Sequence, residues 1–119
     1  MRDFRELKVW RKAHALTLQI YKITKDFPSD ERYGLTAQLR RSSASVPTNI
    51  AEGCGRNGER ELARFMSIAA GSASEVEYQV LLARDLDYMQ DETYRELNQQ
   101  VNEIKRMLNS FIQKLTANS

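Results

Sequence analysis

One cysteine, one histidine, two prolines and five glycines among 119 residues exclude several protein classes at once. A single cysteine leaves no internal disulfide framework and points to a reducing compartment. A single histidine rules out the paired Glu-x-x-His sites of di-iron bundles, and His14 has Arg11, not an acid, three residues before it. No apolar run approaches the ~20 residues of a membrane span. The opening "MRDFRE" lacks the apolar segment of a signal peptide. The expectation is a cytoplasmic, soluble chain with no metal, no cofactor, no membrane partner and no small-molecule substrate. So few breakers also leave room for few turns, hence for few, long elements.

Hydrophobic periodicity supplies those elements. Val9, Ala13, Leu16, Ile20, Ile23 and Phe27 recur at alternating spacings of four and three, the seam of a helix. Phe27-Pro28 ends it, and Ser29 or Asp30 is placed to cap a second helix with Glu31 in its first turn. Leu35, Leu39, Ser42, Val46 and Ile50 carry that helix to Gly53-Cys-Gly55. Asn57-Gly58 makes a turn, and Leu62, Phe65, Ala69, Ala73, Val76, Val80 and Ala83 mark a third helix. Asp91 or Thr93 opens a fourth, with the seam Tyr94, Leu97, Val101, Ile104, Leu108, Phe111 or Ile112, and Leu115. No stretch alternates as a strand does. The expected fold is all-α, a single domain over 1–119, an antiparallel up-down-up-down four-helix bundle with helices near 4–26, 30–55, 58–89 and 91–116.

Pro47 stands inside the second helix. It lacks an N–H and its ring crowds the carbonyl of Ser43, so it should kink the helix or restart it. The small residues around it, Ser42 to Ser45, lie level with a second small run, Ile68 to Ser74. Matched runs of this kind allow close helix packing; a ligand groove at the kink is the other reading. The first helix carries a second stripe, Leu7, Trp10, His14, Thr17 and Tyr21. One bundle needs one stripe per helix. The second therefore points to self-association through Leu7, Trp10, His14 and Tyr21, or to a wide core face.

The small net charge of +2 conceals a polarity. Folding the chain at its turns puts His14, Arg41, Ser72 and Leu108 at one level. The half made of 1–14, 41–72 and 105–119 then holds 12 Lys and Arg against 5 Asp and Glu, or +7. The remainder holds 6 against 11, or −5. A concentrated positive end suits a polyanion, with Arg40, Arg41, Arg56, Arg60 and Arg64 as phosphate contacts and Lys8, Arg11 and Lys12 in support. Nucleic acid is the first partner this charge suits. An interaction scaffold docking an acidic or nucleic-acid-handling protein is the alternative.

Two apparent chemical motifs carry little. Gly53-Cys-Gly55-Arg-Asn-Gly58 matches G-x-G-x-x-G, but that motif cradles a dinucleotide only between a strand and a helix. Cys54 and His14 differ in height by roughly 15 Å at ~1.5 Å per residue, too far for a nucleophile and its base. The chain reads as non-enzymatic.

The runs "VWRKAHALTLQIY" at 9–21, "YGLTAQLRRSSASVPTNIAEGCGR" at 33–56 and "AAGSASEVEYQVLLARDLDY" at 69–88 resemble the four-helix-bundle proteins encoded in intervening sequences of bacterial 23S ribosomal RNA genes. That family is in turn similar to the accessory proteins of diversity-generating retroelements. The resemblance implies a left-handed up-down bundle, assembly into a homopentamer with a central channel, and a basic surface for RNA or DNA without established enzymatic activity. It matches Arg40, Arg41 and Arg56 to the family motif. Asn49 and Glu52 read as structural, Asn49 capping the segment after Pro47 with Glu52 three residues on.

Overall fold

The computed structural model describes residues 2–117. Among them are four α-helices and no strand: α1 Lys8–Thr24, α2 Leu35–Cys54, α3 Glu59–Asp85 and α4 Asp91–Thr116. Two short 3₁₀ turns, Phe4–Glu6 and Ser29–Glu31, precede α1 and α2. α1 packs on α2 and α4, and α3 packs on the same two, which makes a four-helix bundle. The whole measures 46 × 22 × 20 Å, in keeping with a 27-residue α3 of about 40 Å.

The seams read from periodicity form one core. Val9, Ala13, Leu16, Ile20, Leu35, Leu39, Val46, Ile50, Leu62, Ala69, Ala73, Val76, Val80, Ala83, Leu97, Val101, Ile104 and Leu108 are all buried in it. Toward the ends of the seams, Ile23, Tyr94, Phe111, Ile112 and Leu115 are only partly covered.

Several termini differ from the sequence reading. The second helix begins at Leu35, not near 30, because Ser29–Glu31 closes a separate 3₁₀ turn. Neither Ser29 nor Asp30 caps α2. The N-cap position is Gly34, which has no side chain to offer, and the free Leu35 backbone N–H is met instead by Glu31 Oε1 at 3.0 Å. Glu31 Oε2 takes the Tyr88 hydroxyl at 2.8 Å. α3 stops at Asp85, four residues short of the expected 89, because Asp87 turns left-handed (φ 63°). Asp87 N–H then bonds Arg84 O and Tyr88 N–H bonds Ala83 O, both at 2.9 Å, the paired closure of a Schellman motif.

α2 runs unbroken through Pro47, so the helix does not restart there. Nor does Asn49 cap anything. Its Nδ2 donates back to Ser45 O at 2.8 Å and to Ser45 Oγ at 2.9 Å. The carbonyl that loses its helical donor to Pro47 is that of Ser43. It is met from α1 by Thr17 Oγ1 at 2.9 Å. The two small-residue runs meet as well: Ser45 Oγ lies 2.8 Å from Ser72 Oγ, and Ser42 Oγ donates to Gln79 Oε1 at 2.5 Å. Other cross-helix pairs are Thr24 with Arg40, Lys12 with Glu103 and Glu77 with Lys105.

Candidate nucleic-acid interface

The end of the molecule built from the N-terminal segment, the α2–α3 turn and the last turns of α4 is where the positive charge gathers. The N-terminal segment is pinned there because Arg2 N–H donates to the carbonyl of Cys54 at 3.1 Å. The turn itself follows from glycine. α2 ends at Cys54 with Gly55 as its C-cap, and Gly58, at φ 88°, lies in the left-handed region and precedes Glu59, the first residue of α3. The G-x-G-x-x-G match is this helix stop and turn. Gly53 permits the close approach of α2 to α3: a Cβ there would sit 2.9 Å from Phe65 Cβ.

The candidate cations have different fates. Arg56 and Arg64 both lie over the ring of Phe65, at 5.0 and 4.5 Å. Arg64 is held by two bonds to Glu61, 2.9 Å from Nε and 3.2 Å from Nη2, and Arg56 stands 3.9 Å from Glu52. The Arg64 hydrogen bonds hold the Glu61 carboxyl below its usual range. Lys12 pairs with Glu103 at 2.5 Å and lowers that carboxyl likewise. Arg11 donates to the carbonyl of Arg5 at 3.0 Å.

Arg40 is committed elsewhere. Its Nε donates to Thr24 Oγ1 at 2.8 Å, its Nη2 to Tyr21 O at 3.2 Å, and its guanidinium lies 4.8 Å over the Tyr21 ring. It ties α2 to the last turn of α1. Arg41, its neighbour in sequence, is exposed and lines a polar groove of about 440 Å³ with Gln38, Ser42, Ser45, Ser72, Glu75 and Gln79.

Among the described residues of the basic half, Arg2, Lys8, Arg11, Arg41, Arg60, Arg106 and Lys114 form no ion pair. Of these, Arg2, Arg106 and Lys114 were not among the sequence candidates. They surround a groove of about 590 Å³ whose other lining residues are Glu59, Met107, Ser110, Phe111 and Leu115. The pattern that marks it is on α4: a polar row Arg106, Ser110, Lys114 beside an apolar row Met107, Phe111, Leu115, each at spacings of four.

The second stripe of α1 is partly spoken for within the chain. Phe4 meets Trp10 edge-on at 4.8 Å, and Trp10 stacks on His14 at 5.0 Å. Leu7 and Trp10 pack against the core, Thr17 is buried, and Tyr21 and Leu18 stay 42% and 58% exposed. Cys54 is buried under the α2–α3 turn, and burial pushes its thiol up from the ordinary value, away from the thiolate a nucleophile needs. Among the described residues no group of three or more His, Cys, Asp or Glu is placed to hold a metal. No described helix is long and apolar enough to cross a membrane.

Residues 5–110 match the family model described as 23S rRNA-intervening sequence protein. A crystal structure of a protein of unknown function from the S23 ribosomal protein family, from Bacteroides thetaiotaomicron, superposes with a TM-score of 0.82 at 25% identity. The match covers 88% of this chain and 95% of that one. No curated protein matches.

Proposed function

The chain belongs to the 23S rRNA-intervening sequence protein family, and from that premise we propose that it is a non-enzymatic, self-associating bundle that binds structured RNA through its basic end. The observation that carries this reading is the set of seven cations in one half that form no ion pair among the described residues. The opposite half is net acidic and carries Asp26, Asp30, Asp87, Asp91 and Glu92 around its turns. A field polarised in this way steers a polyanion to one end and repels it from the other.

The finer architecture belongs to the same proposal. Thr17 meets Ser43 while Thr24 meets Arg40, and Ser45 meets Ser72 while Ser42 meets Gln79. Partner numbers that fall as the others rise support antiparallel neighbours. Left-handed supercoiling accompanies such packing, and the crowding of Ser43 by Pro47 supports a bend in α2. We take the copies to associate, as a pentamer, through the stripe of Leu7, Trp10, His14 and Tyr21, of which His14 and Tyr21 are exposed, in the cytoplasm.

Fluorescence anisotropy of a labelled structured RNA across a salt series tests the function. Affinity should fall steeply with salt, because neutralised phosphates release counterions. Arg41→Ala/Arg60→Ala should reduce both affinity and salt slope at unchanged oligomer mass. Absence of binding by the wild type at low salt would hand the basic end to an acidic protein partner instead.

A further inference from the structure

The groove lined by Arg2, Arg106, Phe111 and Lys114 does not look like a surface for a duplex. Three cations stand around it against one carboxylate, Glu59, and its floor is apolar, formed by Met107, Phe111 and Leu115. At about 590 Å³ it falls within the ~300–1,000 Å³ of small-ligand sites. A paired helix presents phosphates and groove edges, whereas its base faces are already stacked on one another. An apolar floor beside a row of cations fits a ligand with a flat apolar face and an attached anion.

We infer that this groove takes an unpaired nucleotide of the bound RNA, its base on the apolar floor against Phe111 and its phosphate on the Arg106–Lys114 row. The inference rests on the RNA-binding reading above and names the form of RNA it selects. Single-stranded loops and ends are where proteins reach base faces, by stacking them on aromatic rings and guanidinium planes. Both partners are present here: the guanidinium of Arg2 lies 5.5 Å over the Phe111 ring, and a base on that face takes its place as Arg2 swings toward the phosphate. Arg2 forms no ion pair among the described residues, so its head is available to a phosphate while its backbone stays bonded to Cys54. Ser110, between Arg106 and Lys114 on the same row, adds a hydroxyl donor. Phe111 is only half-buried and packs beside the core, so part of its ring faces the groove.

The test compares two labelled RNAs, a short single strand and a hairpin dominated by its paired stem, on wild type and three variants. Phe111→Leu keeps an apolar side chain but loses the aromatic face, and should weaken single-strand binding by about tenfold while leaving the hairpin stem bound as before. Phe111→Tyr restores the face and should bind as wild type, which separates stacking from packing. Arg106→Gln/Lys114→Gln should lower the single-strand salt slope by about 0.7 per lost phosphate contact. If Phe111→Leu binds the single strand as tightly as wild type, the groove holds no base, and the RNA reading stands without it. Equal losses on both RNAs would also overturn it, by showing a structural effect. If wild type binds neither RNA, this inference and the reading beneath it fall together.

Discussion

Thr17 Oγ1 on α1 lies 2.9 Å from the carbonyl oxygen of Ser43 on α2, the oxygen that Pro47, four residues on, leaves without a helical N–H. The same hydroxyl sits 3.0 Å from Ala13 O, so its one proton is shared between its own helix and the proline's orphan. Both residues are buried. The proline and the threonine thus form a coupled pair across two helices.

Thr17→Val keeps the shape and removes the donor. A buried unsatisfied carbonyl costs about 1–3 kcal/mol, so the unfolding free energy should fall by that amount, read as a lower denaturant midpoint at unchanged m-value. Pro47→Ala returns a backbone N–H to Ser43 O. In that background Thr17→Val should cost clearly less, and a double-mutant cycle by urea unfolding measures the difference. Additive losses would show that the hydroxyl does not serve the proline.

Two glycines on neighbouring helices should respond in opposite directions to alanine. At Gly53 the new Cβ would stand 2.9 Å from Phe65 Cβ and 3.1 Å from Leu62 Cδ1. Phe65 Cβ is fixed to its backbone, so α2 and α3 must separate, and overpacking of this kind costs about 1–3 kcal/mol. Gly71, on the exposed side of α3, has nothing within 4 Å of a Cβ. There the helix propensity of alanine acts alone and should add about 0.5–1 kcal/mol. Thermal unfolding of Gly53→Ala and Gly71→Ala checks the pair of signs.

Acid should destabilise the fold through a carboxylate that the sequence placed in the wrong role. Glu31 is held below its usual value of 4.5, chiefly by the Leu35 backbone N–H and then by the Tyr88 hydroxyl. A depressed folded-state value means its contribution is complete above about pH 4.5 and is lost as pH falls through the folded value. Glu61, Glu77 and Glu103 are lowered too, each first by a hydrogen bond from its cationic partner, and act in the same direction. Glu31→Gln should flatten the fall of stability with acid, read by denaturant unfolding across a pH series. An unchanged slope would remove Glu31 from the account.

The helical seams were legible because burial repeats with the helix period: Leu97, Val101, Ile104 and Leu108 share one side of α4 and are all buried. The ends of helices were not, because a cap is chosen by geometry among several eligible residues. Ser29 and Asp30 are better caps by type than Glu31, yet the 3₁₀ turn places Glu31 Oε1 at the Leu35 N–H. The basic end was legible as a sum of charges at one height. Which cations are unpaired was not, since height along the axis says nothing about which side of a helix a residue faces. Arg2 was illegible for a further reason: it stands outside every periodic segment, and no spacing shows that its backbone N–H bonds Cys54 O.

The adjacent arginines Arg40 and Arg41 show that limit most plainly, and they make the sharpest separation. A rotation of about 100° per residue along α2 sends Arg40 to the α1 side, where it caps the Tyr21 carbonyl and bonds Thr24, and leaves Arg41 exposed on the α3 side by Ser72, Glu75 and Gln79. Arg40→Ala should therefore lower stability, by about 1–3 kcal/mol for the loss of a charged group's partly buried bond to Thr24 and exposed bond to Tyr21 O. RNA affinity of the folded protein should hardly change. Arg41→Ala should do the reverse, leaving the unfolding free energy within about 0.5 kcal/mol while weakening RNA binding and shallowing its salt slope. Paired unfolding and anisotropy measurements on the two single variants decide it. If Arg40→Ala weakens RNA binding without loss of stability, its bonds to α1 open when RNA arrives, and the assignment of Arg40 as an α1–α2 tie is wrong.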